Sequence, residues 1–151
     1  MRRRFGRLSV ASLRDDGYTL TEMLVVLAII GLIAAVLTPG LMGQLGRARA
    51  KTAQMQLETI AASVEMFHSD VGRYPTQAEG LNALVTEPTG GLEGWTGPYI
   101  KDAKVLRDPW NDAVAYEAGT DGRNFVVRSL GRDGKAGGAG LDKDLQAPAQ
   151  Q

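Results

Sequence analysis

The chain of 151 residues contains no cysteine, one histidine and only nine aromatic residues. The lack of cysteine excludes a disulfide framework and a thiolate metal site. His68 has no partner at a spacing that would form a metal or catalytic cluster, and no G-x-S-x-G, H-E-x-x-H or phosphate-loop motif is present. The sequence therefore predicts a protein that is not an enzyme.

The chain also lacks an excess of charge of either sign, with 17 Lys+Arg and 17 Asp+Glu. Five of the arginines and two of the aspartates precede residue 18, so the rest of the chain has 12 basic and 15 acidic residues. A nucleic-acid-binding domain usually concentrates Lys and Arg on one surface. This balance predicts no nucleic-acid partner.

What the chain does have is one long apolar run, from Met23 to Gly43, with 21 uncharged residues. At about 1.5 Å per helical residue, this run matches a hydrocarbon core of roughly 30 Å. Glu22 stands directly before it. A carboxylate at that depth must stay hydrated, become neutral or meet a cation, and the residues alone leave open whether Glu22 is hydrated or paired.

Charges on either side of the run predict its orientation. Five arginines precede it, whereas Arg47, Arg49 and Lys51 follow it, which favours a cytoplasmic amino terminus. Residues 2–5 and the Ala48-Arg49-Ala50 segment weakly match other export signals, but the run exceeds the 7 to 15 residues of a cleaved signal core. We therefore expect a single-pass anchor, with the chain beyond about Gln44 in the periplasm.

Helical periodicity continues past the apolar run. In the segment 57–68, apolar residues and one histidine recur at helical spacing, at Leu57, Ile60, Ala61, Val64, Phe67 and His68. This pattern predicts one helix from Tyr18 to about Asp70, ended near Val71-Gly72. Pro39 and Gly40 should kink or locally melt it, because proline lacks a backbone donor and clashes with the preceding turn.

The remaining 80 or so residues predict short elements. We expect a short helix from about Gln77 to Val85 and a hairpin of two strands, Ala113–Glu117 and Phe125–Leu130. A third strand is expected in the region 95–100 or 104–107. A long helix packed on a small antiparallel sheet gives an α+β fold.

The segment Gly17-Tyr18-Thr19-Leu20-Thr21-Glu22 resembles the processing signal of type IV pilins and their relatives. This resemblance implies that a prepilin peptidase cleaves between Gly17 and Tyr18 and methylates the new amino terminus of Tyr18. It also implies that Glu22 neutralises the terminal amine of a neighbouring subunit during assembly, and that Pro39 is a family position where the helix partly unwinds in the filament. Pairing two buried charges offsets the several kcal/mol that each costs alone.

Three further motifs narrow the resemblance. They are Arg73-Tyr74-Pro75-Thr76, Trp95-Thr96-Gly97-Pro98-Tyr99-Ile100 and Asp108-Pro109-Trp110-Asn111. In this order they resemble the major pseudopilins, or G subunits, of type II secretion systems. We interpret the aromatic residues Tyr74, Trp95, Tyr99 and Trp110 as packing residues of turns. The resemblance implies a homopolymeric filament that works with minor pseudopilins, an inner-membrane assembly platform and its cytoplasmic ATPase.

Residues 129–145 are rich in glycine and aspartate. Calcium prefers carboxylate and carbonyl oxygens, but the spacing of an EF-hand is missing and the composition alone favours a solvated tail. The resemblance reverses this preference, because major pseudopilins bind calcium in this loop. It implies ligands at Asp133, Asp142 and Asp144, with the backbone carbonyls of Leu130 and Lys135 as companions.

The sequence thus predicts three regions: a leader at 1–17, a transmembrane and assembly segment at 18–43, and a periplasmic domain at 44–151 with a calcium loop at 129–145. The predicted function is a structural subunit of the periplasmic pseudopilus, which drives folded proteins through the outer-membrane secretin. Two alternatives remain open: a type IV or competence pilin-like subunit, and a membrane-anchored periplasmic binding module that does not polymerise.

Overall fold

The computed structural model describes residues 17–148. Residues 1–16, which make up nearly all of the predicted leader, lie outside this range, as do residues 149–151. The described elements are one long helix, α1 (Leu20–Val71), three short 3₁₀ helices and three strands, β1 (Ala115–Ala118), β2 (Phe125–Ser129) and β3 (Leu145–Ala147). The predicted α+β fold is confirmed.

Both ends of α1 follow from local chemistry. At the start, the Thr19 hydroxyl accepts the Glu22 backbone N–H at 3.1 Å, which satisfies one of the free donors of the first turn. At the end, Gly72 adopts a positive φ of 80° and donates its N–H to the His68 carbonyl at 2.8 Å. The predicted helix is confirmed, with ends within two residues of those expected.

The helix passes through Pro39 and Gly40 without interruption. The missing proline N–H therefore removes one helical hydrogen bond, but it does not melt the turn. Local melting at this point, one of the two predicted outcomes, is not found in the structure. By internal contacts the chain divides between Gly40 and Leu41 into two units.

In the second unit, one face of α1 supplies much of the hydrophobic core. The predicted residues Leu57, Ile60, Val64 and Phe67 are almost completely buried, and they belong to one cluster with Leu84 of the first short helix, Tyr116 of β1, Val127 of β2 and Ala147 of β3. Burial of each Leu, Ile, Val or Phe side chain in this cluster contributes about 1.5–3 kcal/mol. The core therefore joins α1 to the sheet.

The sheet has the order β1-β2-β3, with both pairs antiparallel. Tyr116 faces Val127 across the β1–β2 hairpin, and Val127 also faces Ala147 of β3. The predicted hairpin is confirmed with small shifts of its ends. The predicted position of the third strand is wrong: the third strand is β3, which follows the glycine-rich loop and completes the second side of β2.

The two regions proposed for that strand have other structures. Residues 95–100 form an irregular segment that ends in a bend. Its residues Tyr99 and Ile100 both donate their N–H groups to the Leu84 carbonyl, and residues Ala103–Leu106 form a 3₁₀ helix. The helix predicted from Gln77 to Val85 is also shorter and tighter than expected. It is a 3₁₀ helix from Gly80 to Leu84, preceded by turns.

Candidate functional sites

The predicted processing residues and Glu22 lie at the amino-terminal end of α1, whereas Pro39 lies inside the helix. Gly17 and Tyr18 precede the helix and are exposed, and Glu22 lies in the first helical turn, also exposed. A carboxylate there interacts favourably with the positive end of the helix dipole, and Thr19 caps the same turn. Glu22 is thus placed at the head of the apolar segment, where its carboxylate is accessible to a partner.

The first unit leaves its apolar side chains uncovered. Its large apolar side chains in α1 are exposed, including Leu24, Leu27, Ile30, Leu32 and Val36. The helix is long and apolar enough to cross a membrane, judged by length and composition. An apolar surface of this extent requires contact with lipid or another protein.

The three aspartates of the carboxy-terminal loop lie in different local environments. Asp133 accepts the Lys135 N–H at 3.2 Å, and Asp142 forms a two-point ion pair with Arg132 at 2.8 and 3.1 Å. Asp144 accepts the Gly137 N–H through Oδ2 at 3.0 Å. Within residues 17–148, no three His, Cys, Asp or Glu side chains are placed to hold a metal together.

One carboxylate oxygen nevertheless fits an ion site. Asp144 Oδ1 is buried and has no hydrogen-bond partner among the described residues, which is costly unless a ligand or water satisfies it. Backbone carbonyls of Asp142 and Lys143 approach Gly138 and Gly131 so closely that a Cβ at either glycine would collide with them. Carboxylate and carbonyl oxygens are the donor types that calcium prefers, so the donor chemistry fits.

The Asp108-Pro109-Trp110-Asn111 motif anchors the start of that loop. Asp108 is buried and accepts the Ser129 hydroxyl at 2.6 Å, together with the Trp110 and Asp112 N–H groups at 3.0 and 2.9 Å. Ser129 in turn accepts the Gly131 N–H at 3.2 Å. The role of this motif is structural: it joins the 108–112 turn to the end of β2.

The Arg73-Tyr74-Pro75-Thr76 motif organises the turn after α1. Arg73 donates two hydrogen bonds to the Glu79 carboxylate, both at 2.7 Å. Thr76 and Glu79 exchange bonds as in a capping box: the Thr76 N–H donates to Glu79 at 2.7 Å and the Glu79 N–H donates to the Thr76 hydroxyl at 3.2 Å. These bonds, led by those from Arg73, lower the pKa of Glu79 from 4.5 to about 2. The T-x-x-E spacing could have revealed Glu79 from the sequence.

Aromatic residues of the motifs mostly pack against the core, as predicted. Tyr74, Trp95 and Tyr99 are half-buried beside it, and the Trp95 indole N–H donates to the Ala83 carbonyl at 3.0 Å. Trp110 is half-buried but is not part of that cluster. His68 stacks on Tyr74 with ring centroids 4.2 Å apart, in keeping with a structural role.

Two glutamines that sequence reasoning missed occupy the outer edges of the sheet. The Gln77 side chain donates to the Tyr116 carbonyl at 2.8 Å and accepts the Ala118 N–H at 2.9 Å, as a neighbouring strand would. On the other edge, Gln54 donates to the Gln146 carbonyl at 3.3 Å. Covering edge groups in this way opposes pairing with strands of other chains.

Comparison with known proteins identifies the family. The profile of "Type II secretion system (T2SS), protein G" matches residues 40–148. The chain belongs to this protein G family. A second profile, the "Prokaryotic N-terminal methylation motif", matches residues 13–38, which include Gly17, Tyr18 and Glu22.

Individual relatives agree with this assignment. The chain is 37% identical to a type II secretion system core protein G of Xanthomonas campestris pv. campestris, over 86% of this chain and 87% of that protein. It is 38% identical to that of Pseudomonas aeruginosa, over 87% and 94%. The crystal structure of the major pseudopilin from the type 2 secretion system of enterohaemorrhagic Escherichia coli covers 72% of this chain and 94% of its own, with a TM-score of 0.56 and 26% identity.

Within the protein G family match lie all three motifs and the whole glycine-rich loop. The family resemblance inferred from these motifs is therefore confirmed. The motifs did not predict the geometry of the loop, in which Asp144 Oδ1 is buried without a hydrogen-bond partner among the described residues.

Proposed function

We infer that the chain is a structural subunit of the pseudopilus of a type II secretion system. The observation that carries this inference is α1 itself: an uncovered apolar segment with Glu22 at its head, in a chain of the protein G family. Its apolar surface needs lipid before assembly and other subunits afterwards. The chain acts by assembling with copies of itself and not by catalysis.

Processing and location follow from the same segment. A prepilin peptidase cleaves between Gly17 and Tyr18 and methylates Tyr18, as the methylation-motif match supports. Before assembly, the subunit lies in the inner membrane with its amino terminus in the cytoplasm and its domain from residue 44 to 151 in the periplasm. Minor pseudopilins and an inner-membrane assembly platform with its ATPase are the further partners.

In assembly, the Glu22 carboxylate pairs with the amine of Tyr18 on a neighbouring subunit. The carboxylate is exposed and receives no side-chain partner among the described residues of its own subunit. Pairing removes two charges from a medium in which each alone costs several kcal/mol. The pair would set the axial register of neighbouring subunits.

Calcium binds the carboxy-terminal loop and stabilises it in place of a disulfide. Asp144, with its unsatisfied Oδ1, and the carbonyls around Gly131 and Gly138 support this proposal. Asp133 and Asp142 are the further carboxylates, and Asp142 must share or exchange its ion pair with Arg132. When bound, the ion would supply positive charge that lets these oxygens approach each other.

The pairing role is tested with three variants of the full chain in membranes. Glu22→Gln removes the charge and keeps the shape, Glu22→Ala removes both, and Thr19→Ala removes only the helix cap. We expect amino-terminal sequencing to show normal processing in all three. Crosslinked ladders and secretion should be lost in both Glu22 variants and kept in Thr19→Ala. Equal ladders in Glu22→Gln and the native chain would refute the charge-pairing role. Loss in Thr19→Ala alone would instead assign the effect to the start of the helix.

The comparisons favour neither alternative function. A type IV or competence pilin is not the family matched along residues 40–148. A module that does not polymerise would leave only monomers in the same crosslinking experiment.

A further inference from the structure

The segment that follows the glycine-rich loop lies along α1 and contacts it at two points. The Leu141 side chain packs on Gly46, because a Cβ at Gly46 would lie 2.7 Å from Leu141 Cδ1 and 3.3 Å from Cδ2. Five residues later, the Gln146 carbonyl accepts a bond from Gln54 at 3.3 Å. Gly46 and Gln54 are separated by about 12 Å along the helix.

The first contact depends on the missing side chain at Gly46. Gly43, one turn earlier on the same helix, would place its Cβ only against Arg47 Nη1 at 3.8 Å. Glycine within a helix costs about 1 kcal/mol relative to alanine, and at Gly43 no packing explains it. At Gly46 the close approach of Leu141 does.

Asp144 lies between these two contacts in the chain. Together with Gln54, Gly137, Gly138 and Lys143 it lines an open cavity of about 510 Å³, and its Oδ1 is the unsatisfied oxygen described above. Leu141 follows Gly140, whose φ of +64° lies in the left-handed region that glycine adopts readily. The contacts of α1 with Leu141 before Asp144 and with Gln146 after it therefore fix the position of Asp144.

We propose that Gly46 and Leu141 are positioning residues for the ion-binding loop: the leucine seats the loop on the long helix and thereby holds Asp144 where it can serve as a ligand. This inference rests on the proposed calcium site for its functional meaning, whereas the seating itself does not require an ion. It explains why a large apolar residue occupies position 141, among the glycines, alanines and charged residues of the segment 131–144.

The test uses the full chain purified in detergent, with Gly46→Leu, the matched control Gly43→Leu, and the compensating pair Gly46→Ala/Leu141→Ala beside Gly46→Ala alone. Calcium chloride is titrated calorimetrically. Amide hydrogen exchange of residues 137–147 is measured separately in chelator. Residues that orient metal ligands typically change affinity 10- to 100-fold.

We expect Gly46→Leu to weaken calcium binding at least tenfold and to speed exchange of residues 137–147 in chelator, while Gly43→Leu changes neither by more than about twofold. The double variant should bind calcium more tightly than Gly46→Ala alone, because the removed leucine methyls make room for the new one. Equal effects of Gly46→Leu and Gly43→Leu would overturn the proposal. If the native chain binds no calcium, the proposed ion site is refuted. The exchange measurement still tests the packing of Leu141 on Gly46, because unchanged exchange in Gly46→Leu would refute that packing as the contact that holds the loop.

Discussion

The ion pair between Arg73 and Glu79 allows a quantitative prediction. The two terminal guanidinium nitrogens of Arg73 each donate to the Glu79 carboxylate at 2.7 Å, and the pKa of Glu79 is lowered from 4.5 to about 2. Substituting Glu79→Gln keeps the size and the reciprocal cap with Thr76, since glutamine also serves at this position of a capping box. The variant therefore removes the charge and one of the two acceptor oxygens that bind Arg73, while the cap with Thr76 can remain.

The size of the effect follows from the pKa and from exposure. At about 1.4 kcal/mol per pKa unit the shift would correspond to roughly 3 kcal/mol. The Arg73 side chain is 39% exposed and that of Glu79 is 20% exposed, so water screens the pair and exposed pairs contribute about 1 kcal/mol or less. We expect Glu79→Gln to lower the free energy of unfolding by about 1 kcal/mol at pH 7.

The pH dependence identifies the source of this energy. A carboxyl whose pKa is lower in the folded state stabilises the fold above its unfolded pKa, and the contribution disappears as pH falls through the folded pKa. The difference between native and Glu79→Gln should thus shrink between pH 4.5 and about 2. Thr76→Ala, which removes the cap and keeps the charge, should cost about 1 kcal/mol across the same range.

Urea unfolding of the unit from residue 41 to 151, followed by circular dichroism at pH 7, 4.5, 3 and 2, measures these differences. A native-to-Glu79→Gln difference that stays constant over this range would refute the argument. In that case the lost stability would come from packing or hydrogen bonding and not from charge.

Three further outcomes are expected. Burial, reinforced by the charges of Glu79 and Tyr74, raises the pKa of Tyr116 to about 12. Stability should therefore fall as pH rises from 10 to 12, and Tyr116→Phe should abolish the phenol that ionises near pH 12 in an ultraviolet titration. That variant also leaves the Pro75 carbonyl, now bonded at 2.7 Å, without its donor, at a cost of about 1–2 kcal/mol in urea unfolding. Gln77→Ala should cost a similar amount by opening the edge of β1, and a gain in stability would contradict the proposed edge cover. Calcium at 100 times its dissociation constant should raise the melting temperature by on the order of 10 °C, an effect lost in Asp133→Ala and Asp144→Ala but kept in the Asp121→Ala control; equal shifts in all variants would place the ion elsewhere.

Features that depend on neighbours in sequence were predictable. Helical spacing between Leu57 and Phe67 predicted the face of α1 that is buried, because side chains three and four apart share one side of a helix. The turn-rich segment 119–124 between two β-branched or aromatic runs predicted the hairpin. The three motifs predicted the protein G family, because each is a short run of adjacent residues that can be recognised in the sequence alone.

Features that depend on contacts between distant parts of the chain were not predictable. The third strand is only three residues long, Leu145–Ala147. The glycine-rich loop separates it in sequence from its partner β2, which ends at Ser129. A strand this short carries no alternating pattern, so its position is decided by the free edge of β2 and by Gln54 of α1.

The sequence alone therefore determined the apolar helix, the charged residue at its head and the family, since each rests on local pattern and composition. Tertiary structure decided what the carboxy-terminal loop contacts. The sequence shows that Asp133, Asp142 and Asp144 can donate oxygens to an ion, but not where these oxygens lie in space. The packing of Leu141 on Gly46 and the burial of Asp144 Oδ1 arise only when the loop folds back on the helix. Contacts between residues nearly one hundred positions apart have no signature in a single sequence, because they depend on the shape of both surfaces at once.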